Sequence, residues 1–326
     1  MTRIRTGTLS ACAAVVLGCL SPAQASETIR FESSTVASYP ALYAGDLGPR
    51  VTLEGRVSLP AAASGPMPAA ILMHSAGGPD PEHEAWYEKS LNGQGIATLA
   101  VDSFGGRGLR PPVSVRALSF PSLVADIYNA LRALAADHRF DAGRIAVIGF
   151  SRGAEAARQA AFEAFRKGAT GGKGLRLAAH VAFYPLCVTS ADGNHAFTGA
   201  PVLILGGEAD EGTPVANCRA TVAYFKHIDA NAPLRLAVYA RAHHGWDAPR
   251  LDGYYPDAPG TRDCVPILLS PTGEFEAMVK EGRRVALDRA MLRCPGQGYT
   301  MKFDASIRER STAEMLAFLK PILLRN

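Results

Sequence analysis

Residues 144–153 read Arg-Ile-Ala-Val-Ile-Gly-Phe-Ser-Arg-Gly, and an Ala-rich run follows from Ala154. The first half is a run of strand formers and the second half is helix-forming. A strand that becomes a helix within about two residues needs a sharp, strained turn. The side chain at the apex of such a turn is pushed outward. Residues two before and two after it must be small, or they collide with the strand and the helix. Gly149 and Gly153 meet that demand around Ser151. A serine displayed in this way is a candidate nucleophile. A serine that merely caps a helix would leave both glycines unexplained.

The flanking pattern predicts the scaffold that carries this turn. Thr28 to Glu32 and Val51 to Leu59 alternate polar and apolar residues, as antiparallel edge strands do. Ala69–Met73, Gly95–Val101, Ala179–Tyr184, Pro201–Leu205 and Leu234–Tyr239 are near-continuous apolar runs, as expected of strands covered on both faces. Helical stretches lie between them at Glu82–Asn92, in the segment carrying Leu123, Ile127, Leu131 and Leu134, and at Val215–Ile228. The fold class is α/β, with a mostly parallel sheet flanked by helices. From Ala248 to about Asp304 the pattern weakens, and Pro, Gly and Tyr are frequent. This reads as an insertion before a final helix at Ser311–Leu324, either a cap over the site or a surface excursion.

In such sheets ligands bind at the carboxyl ends of the strands. A serine needs a base, and the base needs a partner that fixes its tautomer. Three strand-end loops supply Ser151, Asp210 and His244, in that order. Glu208 competes with Asp210, and His243 with His244. Asp210 is preferred because a shorter carboxylate further out is better placed to meet an imidazole. His244 is preferred because Gly245 leaves room for its loop to reach back. The backbone N–H groups of Arg152 and Ala76 are the candidate oxyanion donors, and the His74 side chain reads as structural. Arg107, in the loop 102–108, could bind an anionic substrate group or make a structural salt bridge.

The 326 residues carry a net charge of +4 without a basic cluster, which gives nucleic-acid binding no support. Arg3 and Arg5, the apolar stretch Leu9–Leu20 and Ala23-Gln24-Ala25 fit a secretory signal peptide cut after Ala25. The apolar stretch is too short to span a bilayer, so no stable membrane anchor is expected. A lipoprotein anchored through Cys19 is the second choice. Residues 26–326 then form a single exported domain, periplasmic or extracellular. Four cysteines remain, and no Cys-x-x-Cys pair suggests a metal site. In an oxidising compartment they are expected as Cys187–Cys218, joining two strand-end regions, and Cys264–Cys294, within the insertion.

These motifs resemble the dienelactone hydrolase family of α/β-hydrolases. The matching pieces are Met73–Gly78, Asp102-Ser103-Phe104 with Arg107-Gly108, Gly149–Gly153, Gly207–Asp210 with Thr213-Pro214, and His243–Trp246. The resemblance implies an α/β-hydrolase fold acting on small-molecule esters or lactones, with no metal or organic cofactor. It makes Phe104 and Trp246 candidates for substrate binding beside Arg107. The founding members carry cysteine as nucleophile, whereas Ser151 suits ordinary carboxylic esters. Acyl transfer to an alcohol would use the same residues, and a catalytically silent binder would not need all three. The substrate's two halves and the oligomeric state are not legible.

Overall fold

The computed structural model describes residues 26–61, 65–111, 117–172, 174–192, 197–287 and 296–324. The expected signal peptide, Cys19 and Cys294 lie outside the described residues.

Strand β1 (Ser26–Ser34), helix α1 (Tyr39–Ala44) and strand β2 (Arg50–Ser58) open the chain, and β1 pairs with β2 antiparallel. There follow β3 (Met67–Met73), α2 (Pro81–Asn92), β4 (Ala97–Asp102), α3 (Phe120–Ala136) and β5 (Phe140–Phe150). The elbow helix divides at Ala160 into α4 (Arg152–Gln159) and α5 (Glu163–Thr170). Next come β6 (Ala179–Phe183), a short β7 (Thr189–Ala191), β8 (Val202–Gly207), α6 (Val215–Ile228) and β9 (Leu234–Tyr239).

The main sheet runs β1-β2-β4-β3-β5-β6-β8-β9. Strand β2 meets β4 antiparallel, and every pair from β4 to β9 is parallel. The chain leaves β3 toward β4 and later continues from β5 in the opposite direction. The carboxyl ends of β3 and β5 therefore flank a topological switch point, where such sheets bind ligands. Ser151 and the His74–Ala76 turn follow those two strands.

Helix α3 shows how the sequence pattern becomes packing. Leu123, Ile127, Leu131 and Leu134 form one stripe, and none is more than 2% exposed. Burying each contributes about 1.5–3 kcal/mol. That stripe belongs to the core on one face of the sheet, with Phe162 and Phe165. The opposite face is covered by Tyr87 and Leu91 of α2 and by Met315 and Leu319 of the last helix.

The stretch after Trp246 is not a loose excursion. Strands β10 (Asp252–Pro259) and β14 (Gln297–Lys302) pair antiparallel. Between them, β11 (Ile267–Leu269), β12 (Phe275–Met278) and β13 (Arg284–Leu287) build a second sheet. Strand β11 joins that sheet to the body by pairing in parallel with β7. Helix α7 (Ala305–Leu323) begins six residues before the expected Ser311, because Asp304 caps it by accepting the Ile307 N–H at 3.0 Å. Its first turn carries too few apolar residues to announce a helix by periodicity.

Candidate active site

The turn after β5 has the strained geometry its glycines suggest. Ser151 has φ 52° and ψ −109°, a conformation L-residues rarely adopt. A Cβ on Gly149 would lie 2.1 Å from the Gly153 carbonyl oxygen, and one on Gly153 would lie 2.2 Å from that of Met73. Strand, helix and the neighbouring β3 end thus touch backbone to backbone, and no side chain fits between them.

Ser151 Oγ lies 2.9 Å from His244 Nε2, and His244 Nδ1 lies 2.9 Å from Asp210 Oδ2. A carboxylate only accepts, so Nδ1 carries the proton and Nε2 is left to accept from the serine hydroxyl. His244 and Asp210 are each 4% exposed, while Ser151 is half-buried. The loop that returns His244 turns through Gly245 at φ 67°, a left-handed position suited to glycine.

Asp210 is held by a residue that the sequence reading did not assign. Thr213 donates its backbone N–H to Asp210 Oδ1 at 2.8 Å, and its hydroxyl lies 2.8 Å from Oδ2. The same hydroxyl is 3.2 Å from His244 Nδ1 and 3.1 Å from the Tyr184 carbonyl oxygen. The signal was present in the Thr213-Pro214 pair, but it did not separate a carboxylate holder from a helix start. Two tyrosine rings also flank the imidazole edge-to-face, Tyr184 at 4.8 Å and Tyr299 at 5.2 Å between ring centres. Tyr299 comes from β14, so the insertion supplies a wall of the site. Its strand is tied to the histidine loop through Lys302 N–H, which donates to the His244 carbonyl at 3.2 Å. No pattern links residue 299 to this loop across such a separation in sequence.

The competing residues lie elsewhere. Glu208 is half exposed and pairs with Arg219 at 3.1 Å. His243 makes no hydrogen bond to Ser151 among the described residues, and its Nδ1 has no hydrogen-bond partner there.

The Ala76 N–H has no acceptor among the described residues. Arg152 opens α4, where first-turn amides lack intrahelical acceptors. His74 braces the turn that carries Ala76. Its Nδ1–H donates to the Ser75 carbonyl at 2.7 Å, and its Nε2 accepts the Ser103 N–H at 3.2 Å. Burial holds its pKa below the ordinary value, so it stays in the neutral form that both contacts require.

Of the candidate substrate contacts, Arg107 makes the salt bridge that was its alternative, and the two aromatic side chains lie in the core. Arg107 grips Asp126 with both terminal nitrogens, at 2.9 and 2.8 Å, and its side chain is 5% exposed. It also donates to the Ser34 and Ser103 carbonyls, so it is a structural ion pair with no free donor face. Phe104 is 1% exposed and packs edge-to-face on His74. Trp246 is fully buried, and its indole N–H donates to Ser311 Oγ at 3.1 Å. Both aromatic side chains fill the core behind the loops.

Behind Trp246 lies a second buried cluster. Asp247 accepts hydrogen bonds from the hydroxyls of Tyr87 and Tyr184, the latter at 2.6 Å, and forms an ion pair with His83 Nε2 at 3.1 Å. Burial disfavours the charge on His83, but Asp247 more than offsets this and raises its pKa. Burial likewise opposes charge on Asp247, and His83 with the two tyrosines outweighs it and lowers the carboxyl's pKa. The cluster ties the histidine loop to α2 and to the end of β6.

Cys187 and Cys218 form a disulfide with Cα atoms 5.0 Å apart. It joins the segment after β6 to the first turns of α6. Cys264 is also disulfide-bonded, and its expected partner Cys294 lies outside the described residues. Among the described residues no His, Cys, Asp or Glu cluster is arranged to hold a metal, and no helix is long and apolar enough to cross a membrane.

A mostly parallel sheet with a strained serine elbow, and with a carboxylate and a histidine following later strands, defines an α/β-hydrolase. The chain belongs to the dienelactone hydrolase family, whose sequence profile matches residues 53–261, more than half of its length. It is a hydrolase acting on esters. A putative dienelactone hydrolase from Klebsiella pneumoniae subsp. pneumoniae MGH 78578 superimposes with a TM-score of 0.54 at 18% identity, covering 90% of this chain and 98% of that one. A dienelactone hydrolase-like promiscuous phosphotriesterase from metagenomic libraries gives 0.59 at 18% identity, covering 91% of this chain and 99% of that one. At such identity the likeness is one of fold. Among curated protein sequences, none matches the chain.

Proposed function

We propose that the protein is an exported serine esterase that cleaves carboxylic esters or lactones through an acyl-enzyme, with Ser151, His244 and Asp210 as its triad. The observation that carries this reading is the unbroken line from Ser151 Oγ through the imidazole to Asp210, both links being 2.9 Å.

The chemistry follows from that line. Ser151 Oγ attacks the ester carbonyl carbon as its proton passes to His244 Nε2. Asp210 stabilises the resulting imidazolium without taking its proton. The carbonyl oxygen becomes an oxyanion, held by the N–H groups of Arg152 and Ala76 and favoured by the N-terminus of α4. Collapse of the intermediate breaks the bond to the alcohol, which leaves with the proton from Nε2. Water then repeats the sequence on the acyl-serine and releases the acid. The Cys187–Cys218 bridge supports an oxidising compartment, in keeping with the amino-terminal pattern.

Rapid mixing with p-nitrophenyl acetate tests the reading. A burst of p-nitrophenol equal to the enzyme present, followed by slower turnover, is expected whenever deacylation limits. Ser151→Ala should show neither phase. Turnover by Ser151→Ala at a rate near that of the parent would contradict the assignment.

A further inference from the structure

Arg152 follows the proposed nucleophile and is 2% exposed, yet none of its three guanidinium nitrogens has an acceptor among the described residues. Its natural partner is Glu155, one helical turn on. That carboxylate is fully used. Oε1 accepts from Arg158 Nη2 at 2.6 Å and Gln159 Nε2 at 3.0 Å, and Oε2 accepts from Arg158 Nε at 3.1 Å and Cys187 N–H at 3.0 Å. Burial without a carboxylate pushes the Arg152 guanidinium down to about 10. A buried cation with no counter-charge is strongly unfavourable, and a fold that keeps one usually has a use for it.

The surroundings indicate the use. The Arg152 guanidinium carbon lies 5.4 Å from the centre of the Phe120 ring. Phe120, Tyr39, Leu269 and Phe275 line an open cavity of about 300 Å³. The first two are only half-buried. An unpaired cation therefore sits behind the aromatic wall of an apolar cavity, on the residue next to Ser151.

We propose that Arg152 is the counter-ion for a carboxylate on the substrate's acyl half, and that this cavity takes the apolar chain leading to it. The proposal rests on the esterase reading and narrows its substrate class. The amide of Arg152 holds the acyl oxygen in that reading, so the guanidinium belongs to a residue that already touches the reacting carbonyl. For the carboxylate to reach the guanidinium of Arg152, which is 2% exposed, the Phe120 ring must turn aside. A neutral group in the same place leaves the cation unpaired, which is how a buried polar site rejects an isostere.

Two esters test this. p-Nitrophenyl hemisuccinate carries the carboxylate, and p-nitrophenyl 4-methylpentanoate carries a neutral isopropyl group in its place. The parent enzyme should favour the hemisuccinate in kcat/KM by about a hundredfold, the upper end of what leaving one buried polar group unsatisfied costs. In Arg152→Met that ratio should fall to about one, and Arg152→Lys should lie between. Equal kcat/KM in the parent, or an unchanged ratio in Arg152→Met, would overturn the proposal. Monomethyl succinate titrated calorimetrically into Ser151→Ala reads the site without turnover. Saturable binding is expected there and none in the double variant Ser151→Ala/Arg152→Met. Arg152-dependent binding with no ester turnover would sink the esterase reading and leave the anion site standing. Turnover without preference or binding would do the reverse. Arg152→Met should melt at the parent's temperature or above. A clear drop would mean the side chain has a structural partner, and would refute the argument.

Discussion

Thr213→Val is the substitution that asks most of the site geometry. Valine keeps the shape of threonine and the backbone N–H that holds Asp210 Oδ1 at 2.8 Å. It removes only the hydroxyl, 2.8 Å from Oδ2 and 3.2 Å from His244 Nδ1. One hydroxyl proton serves two acceptors, Asp210 Oδ2 and the Tyr184 carbonyl at 3.1 Å. The variant therefore loses about one hydrogen bond to a charged group, of about 1.5–3 kcal/mol. The carboxylate matters most when the imidazolium forms, so the loss falls mainly on the transition state. At about 1.4 kcal/mol per decade, kcat should drop by about tenfold to a hundredfold with KM little changed. Asp210→Asn should cost far more, about 10⁴-fold, because it upsets the tautomer. Steady-state kinetics on a soluble ester, with melting curves as a fold control, measure both. A Thr213→Val enzyme within twofold of the parent would show that the hydroxyl does not hold the acid. A loss as large as that of Asp210→Asn would show that threonine positions the whole loop.

Two further outcomes follow from the scaffold. Reducing Cys187–Cys218, or replacing both with serine, opens a loop with a sequence separation of 31 residues; on the chain-entropy picture this should cost about 3–4 kcal/mol, read by denaturant unfolding, with the loop carrying Asp210 loosened first. The buried His83–Asp247 pair makes stability depend on pH in a defined direction. His83 is held above its ordinary 6.5, so its contribution is complete below that value and fades as pH rises through the raised pKa. Asp247 is held below its ordinary 3.8, so its contribution is complete above that value and fades as pH falls through the lowered pKa. Asp247→Asn should therefore cost most near pH 5–6, about 3–5 kcal/mol for a broken buried pair, and less near pH 9; an equal loss at both pH values would refute the coupling.

Much of the sheet was legible because its strands are buried on both faces and so carry continuous apolar runs, as Ala69–Met73 does. The strand-end loops could be read for the same reason, since each run ends where the turn residues begin. Short strands gave no such signal. Residues 267–269 and 189–191 pair only with each other's sheet, and three residues cannot show a period. Arg107 stayed open between an anion contact and a salt bridge because its partner, Asp126, lies on a helix that the motif does not include. Phe104 and Trp246 border chemistry-bearing loops in sequence but point into the core. Tyr299 was out of reach because β14 comes back to the histidine loop only after the second sheet has been built. The orphaned guanidinium of Arg152 depends on where four other donors happen to go, and no sequence pattern encodes that.

The central claim is that Ser151 is the nucleophile, activated by His244 and Asp210. Labelling with a fluorophosphonate, followed by tryptic digestion and mass spectrometry, tests it most directly. The account predicts one adduct, on the peptide that contains Ser151. It also predicts no adduct in Ser151→Ala, and labelling slowed by several orders of magnitude in His244→Ala but far less in His243→Ala. An adduct on any other serine, or unchanged labelling in His244→Ala, would contradict it.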